Sequence, residues 1–262
     1  MTTDDQGLFG PDSITWRVHG DPTMGVGGLR ALFLQALHPT VISTVLTHSS
    51  FRTDPWGRLR RTAEYVGTIT YSPLPEVRRT AARVRGMHRR VPGASDPDLL
   101  LWVHACEVDS FLDTARRGGL RLTAAEADRY LREQIRAAQL IGAAQAPDTV
   151  AGLQAYFDEM RPRLAGTPEA DEAARFVLLP PMPRAVSLVT PAKPAWAGVA
   201  TLAFALLPRW ARRMYRLPGL PTTDLGATLG VRALRTGLLA VPPALRDGPH
   251  VKAARARAAV SA

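Results

Sequence analysis

The chain has 262 residues, 46% of them hydrophobic, and 33 Lys+Arg against 23 Asp+Glu give a formal net charge of +10. That is enough apolar material for one sizeable core and excludes a disordered chain. The single cysteine, Cys106, excludes a disulfide scaffold, a cysteine-based zinc site, an iron–sulfur cluster and covalent attachment of c-type haem.

In chain order the apolar residues recur with helical spacing nearly throughout, and no sustained two-residue alternation or Asn-Gly hairpin signal marks a strand. Leu29, Leu32, Phe33 and Leu37 predict a helix ending near His38-Pro39, and Val41, Ile42, Val45 and Leu46 a second, shorter one. After a turn at Asp54-Pro55-Trp56-Gly57, a helix runs from about Arg58 toward Tyr71. Pro75 opens the next, whose apolar stripe reads Val77, Ala81, Val84, His88 and Val91. Asp96-Pro97 caps a helix with the face Leu101, His104, Val108, Phe111 and Ala115, closed by Gly118-Gly119. Thr123-x-x-Glu126 is a capping box for a helix through about Ile141. Pro147-Asp148-Thr149 and Thr167-Pro168 open two more. Pro180 to Pro194, with five prolines, reads as a rigid loop laid over the same core, and short helices resume at Trp196 to Leu207 and near Leu225 to Leu239. The expected architecture is therefore all-α: a flexible N-terminus over 1–13, one helical domain over 14–245, and a flexible basic tail over 246–262 that frays from Lys252 onward.

Met1 to Gly10 is polar and acidic, without the basic start and apolar run of a signal peptide. The longest apolar stretch, Ala195 to Leu207, is too short to span a bilayer. Both point to a cytoplasmic protein. The positive charge permits weak association with an anionic membrane surface. Dispersed arginines without an aromatic stacking platform argue against a specific nucleic-acid partner.

Metal and hydrolase signatures are absent: there is no His-Glu-x-x-His, no Glu-x-x-His and no Gly-x-Ser-x-Gly. Met24-Gly25-Val26-Gly27-Gly28 lacks the preceding strand and the third glycine of a dinucleotide loop, Arg30 standing in that place, and reads instead as a close backbone approach at a helix start. Among the histidines, His88 and His104 occupy core-facing helix positions. A buried neutral imidazole is either a hydrogen-bonded core residue or a good axial ligand for haem iron, and both readings stay open. Glu107, one turn from His104, could orient it. Arg58-Leu59-Arg60-Arg61-Thr62 puts Arg58, Arg61 and Thr62 on one broad helix face, either as a solvated basic helix start or as a site for a propionate, oxygen or a substrate oxygen.

Several ordered runs carry a resemblance. They are Arg17-Val18-His19-Gly20-Asp21, then Gly27-Gly28-Leu29-Arg30-Ala31 with Gln35-Ala36-Leu37-His38-Pro39, then Phe51 followed by Asp54-Pro55, Gly57-Arg58-Leu59 and Thr62, then Val84-Arg85 with His88, and Trp102-Val103-His104. Over about residues 14 to 220 the chain resembles the MpaB-like and rubber-oxygenase (latex-clearing protein) catalytic domain. The resemblance implies an all-helical fold with a globin-like core and a non-covalent b-type haem whose iron takes one axial histidine, at the position matching His88. Its distal Arg-x-x-Lys-Thr motif matches Arg58, Arg61 and Thr62, with Arg61 in place of the lysine, so ligation of iron by that side chain is not expected. Arg30, His38 and His104 are further candidate cofactor contacts. The implied activity is oxidative cleavage or oxygenation of a carbon–carbon double bond in a small apolar, isoprenoid-like metabolite with O2, the electron donor being unspecified. The competing readings are a peroxidase-like haem enzyme and a non-catalytic haem- or lipid-binding helical protein.

Overall fold

The computed structural model describes residues 7–50, 52–182 and 190–260. Phe51, the first six and last two residues, and 183–189 of the proline-rich stretch lie outside the described residues. Among the described residues there is no strand. The helices are α1 (Ile14–His19), α2 (Met24–Gln35), α3 (Pro39–His48), α4 (Pro55–Tyr71), α5 (Leu74–His88), α6 (Pro97–Gly118), α7 (Ala124–Ile141), α8 (Val150–Met160), α9 (Pro168–Leu178), α10 (Ala192–Ala205), α11 (Arg209–Met214), α12 (Thr223–Ala240), α13 (Pro243–Arg246) and α14 (Pro249–Val260).

Their boundaries follow from local chemistry. The Asp96 carboxylate accepts from the Asp98 and Leu99 amides at the start of α6, and Gly119, at a φ of 108°, ends it. The Thr123–Glu126 capping box starts α7, with both reciprocal bonds formed. Asp54 caps α4 by accepting from the Gly57 amide, so that helix begins at Pro55 rather than near Arg58. α5 stops at His88, and Val91 falls in the turn beyond it.

α6 is the central rod, with α2 packed along it. At Gly27 a Cβ would lie 3.1 Å from the Ser110 carbonyl oxygen, so the glycine permits this approach, as the sequence reading expects. One turn on, Arg30 is 2% exposed. Its guanidinium donates to Asp109 Oδ2 and Ser110 Oγ, both at 2.7 Å, and to the Leu206 carbonyl at 3.1 Å, with Asp113 at 3.5 Å. Arg30 therefore ties α2 to α6 and to the end of α10, and does not line the cavity described below. α12 packs on the other flank of α6, and Arg235 donates to the buried Asp21 at 2.7 Å.

The tail also departs from expectation. Instead of fraying after Lys252, the chain forms α14 and packs against α4. Ala254 is fully buried, Arg257 donates to the Tyr71 carbonyl, and the His250 ring fills the space left by Gly67, where a Cβ would come within 2.6 Å of it. Among the described residues no single helix is long and apolar enough to cross a membrane; α2 and α3 reach that length only together, across a 107° bend.

Arg30→Ala should lower unfolding free energy by about 4 kcal/mol, because it strands the buried Asp109 carboxylate. Urea titration checks this; a loss under about 1 kcal/mol would show that the pair does not hold α2 to α6.

Candidate functional site

The faces of α2 and α4 enclose a cavity of about 320 Å3, closed by α6 and by Trp196 of α10. The walls are mainly apolar: Met24, Leu29 and Leu32 of α2, Leu59 and Val66 of α4, and Phe111 of α6. Two glycines of α2 belong to this wall rather than to the α6 seam. A Cβ at Gly25 would meet nothing within 4 Å, and one at Gly28 would touch only Phe111, at 3.9 Å. A smaller space of about 40 Å3 adjoins it, lined also by Tyr65, His104 and Gln134, and shares His19, Thr70 and Glu107 with the larger one.

Burial sets the protonation states here. His19 is pushed down to about 3 by burial and by His104, and its ring shares hydrogen bonds with Thr70 Oγ1 at 2.8 Å and Tyr130 Oη at 2.9 Å. With both nitrogens engaged it is a positioning residue, not an open ligand. Burial pushes His104 down to about 4, so it is a neutral imidazole at pH 7. The Glu107 carboxyl is raised to about 7 by burial, opposed by a hydrogen bond from Gln35. The site therefore holds one proton near neutrality in otherwise uncharged surroundings.

The residues singled out by sequence fall in different places. Thr62 lies on the rim of the cavity, its hydroxyl donating to the Arg58 carbonyl at 3.1 Å. Arg58 sits one turn earlier, its guanidinium pKa lowered by burial and by Arg61. Arg61 turns to the cap of its own helix, donating to Asp54 at 3.1 Å and Ser50 at 2.7 Å. His104 lines the smaller space, but its expected partner Glu107 takes a hydrogen bond from Gln35 instead. His38 is the N-cap of α3, its ring tilted against Trp102 with centroids 6.2 Å apart, and does not line the cavity.

His88 does not line the cavity either. It ends α5, which forms a hairpin with α4 through Ser72-Pro73. The buried residues of that hairpin, Thr68 to Tyr71, Val77 and Ala81, cluster at its closed end, so Arg58, Thr62 and His88 lie along its open end. His88 is half-buried, burial lowers its pKa, and its Nδ1 has no hydrogen-bond partner. Among the described residues no three His, Cys, Asp or Glu side chains converge as a metal site. A haem iron needs only one protein ligand. A neutral imidazole with an unpartnered nitrogen has the donor chemistry such a group needs, and it stands at the open end of the hairpin, outside the cavity wall.

Sequence reasoning missed His19, Gln35 and Tyr71 as cavity residues. His19 was visible only as part of a motif, and nothing in the spacing of Gln35 or Tyr71 signals that they converge from α2 and α4.

The Glu107 shift has a signed consequence. Its folded pKa lies above the unfolded value, so the folded state holds the extra proton and loses stability as pH rises from about 4.5 through 7. His19 and His104 act oppositely and destabilise the fold below about 6.5. The difference between wild type and Glu107→Gln isolates the carboxyl: the variant should gain up to about 3 kcal/mol on wild type between pH 5 and pH 8. A pH-independent difference in denaturant unfolding would contradict an elevated Glu107.

No curated protein and no solved structure matches the chain. A family model described as ER-bound oxygenase mpaB/B'/Rubber oxygenase, catalytic domain, matches residues 16–240, which spans the cavity, the α4–α5 hairpin and the α2–α6 seam. The chain belongs to the mpaB/rubber oxygenase catalytic-domain family, a family of oxygenases.

Proposed function

We propose that this oxygenase-family chain uses a b-type haem and O2 to cleave or oxygenate a carbon–carbon double bond in a small apolar, isoprenoid-like metabolite. The observation that carries the reading is the apolar cavity of about 320 Å3 against α4, with Thr62 at its rim. Its size suits a small molecule, and its walls suit hydrocarbon.

His88 would hold the iron, and Arg58 at the same end of the hairpin would meet an acidic edge of the group. Haem supplies the redox chemistry toward dioxygen that no side chain in the cavity has. The chain's own residues do the rest. Leu29, Leu32, Leu59 and Val66 exclude water and align the hydrocarbon along α4. The Thr62 hydroxyl, now bonded back to its own helix, can turn to donate toward an oxygen at the rim. Glu107 holds a proton at its carboxyl near neutral pH and can release it to, or take it from, an oxygen function in the cavity. In the cleavage reaction both atoms of O2 go to the two carbons of the double bond, one to each. Two carbonyl products result, with no net reductant consumed.

The test is oxygen uptake by the full chain supplemented with haemin, with an isoprenoid panel and carbonyl product analysis. Substrate-dependent uptake is expected, abolished in His88→Ala and kept in His104→Ala. Thr62→Ala should keep the haem spectrum and lose at least tenfold in turnover. Loss in His104→Ala with retention in His88→Ala would move the ligand to α6. Turnover that needs peroxide and not O2 would favour a peroxidase, and binding without turnover a carrier.

A further inference from the structure

Among the described residues eight large hydrophobic side chains are exposed, and six of them fall between Leu217 and Leu245. Four are close together in the chain. Leu217 and Leu220, 59% and 73% exposed, lie in the loop before α12, and Leu225 and Leu229, 62% and 56% exposed, lie one turn apart on α12 itself. Scattered exposed leucines are ordinary, whereas a group of them marks an interaction surface. The inner side of α12 is apolar too, with Ala227 and Val231 buried in the core. A helix that is apolar on both sides is normally covered on both, and here the outer side is bare. The leucines are also held outward by a built framework. The Arg212 guanidinium, buried, donates to the Leu207 carbonyl at 2.7 Å, the Pro218 carbonyl at 3.2 Å and Asp224 Oδ1 at 2.9 Å, which pins the base of the loop to the start of α12. The Thr223 amide then donates to the Leu220 carbonyl at 3.0 Å.

The charge around this group has one sign. From 206 to 262 the chain carries ten Lys+Arg and two Asp+Glu. Both acids are already bonded, Asp224 to Arg212 and Asp247 to Arg255. Exposed Arg209, Arg213 and Arg216 precede the loop, Arg216 being paired with Asp171, and exposed Arg232 follows Leu229 by three residues on α12. A second copy of the chain laid on this face would set these cations against one another. We propose that α12 and the loop before it dock the chain on an anionic phospholipid surface, with Leu217, Leu220, Leu225 and Leu229 entering the acyl boundary and the flanking arginines meeting the headgroup phosphates. An interfacial helix binds in this way, through apolar burial on one side and attraction of its basic flank to anionic lipid. The docking face is separate from the cavity and independent of any cofactor. It brings a protein whose cavity suits hydrocarbon to the phase in which hydrocarbons collect.

Flotation of the full chain with vesicles of phosphatidylcholine alone, and of phosphatidylcholine mixed with phosphatidylglycerol, tests this without turnover. Wild type should bind the mixed vesicles roughly tenfold more tightly than the neutral ones, and less so as salt rises. The triple variant Leu220→Ser, Leu225→Ser and Leu229→Ser should lose about tenfold or more in affinity for the mixed vesicles. It should keep the wild-type melting temperature, because the three side chains are exposed. Leu225→Glu alone, which sets a negative charge on the outer side of α12, should lose binding similarly and serves if the triple variant fails to fold. Binding that the leucine variants leave unchanged would be a charge effect of the chain as a whole and would overturn the docking face. Binding to neither vesicle would overturn it as well. If sedimentation velocity then shows a dimer that the leucine variants break, the face belongs to a second copy instead.

Discussion

The approach of α2 to α6 is the constraint on which the site depends. Two helices come this close only where one lacks side chains, and Gly27 provides that against the backbone at Ser110. The apolar seam alone would tolerate sliding. Arg30 removes that freedom, because a guanidinium buried this deeply is stable only where Asp109, Ser110 and the Leu206 carbonyl meet it. The pair is thus better understood as fixing register than as adding net stability. With register fixed, the neighbouring face of α2, carrying Gly25, Gly28 and Leu32, is turned toward α4, and the cavity follows.

The chemistry of that cavity is one of suppressed charge. Burial keeps His19 and His104 neutral, holds Glu107 half-protonated near pH 7 and keeps the phenols protonated. An environment that disfavours ionisation in its own walls disfavours ionic ligands as well. It accommodates apolar molecules and leaves a few polar points, among them Glu107 and Thr62, to orient them. The cations lie elsewhere: Arg30 is locked within the seam, Arg61 is bonded to the α4 cap, and Arg58 sits at the open end of the hairpin.

Much of this was legible from sequence because helices advertise their ends. The Asp96-Pro97 start, the Thr123–Glu126 box and Gly119 each carry their cause within three or four residues. The glycine cluster announced a close approach, but which glycine serves the seam and which the cavity depends on rotation about α2, and periodicity alone did not resolve it. The C-terminal helix was hidden for a different reason. Its Ala/Arg composition shows little amphipathic pattern, and its place on α4 is set by a vacancy at Gly67, nearly two hundred residues earlier. Tyr71 and Gln35 acquire meaning only when distant helices converge. Thr62 lies on the cavity rim and His104 borders the adjoining space, while His88 stands at the mouth of the hairpin and not in the cavity wall.

The central claim is that one face of α2 builds the seam and the adjacent face the ligand cavity, and Gly28→Leu tests it most directly. The Cβ has room there, meeting only the Phe111 ring at 3.9 Å, and Gly28 lines the cavity. Thermal unfolding and titration with an apolar ligand should be measured on the same preparation. The account predicts an unchanged or higher melting temperature, since a helix-interior glycine is replaced, with ligand binding lost. Retained binding, or collapse of the fold, would contradict it.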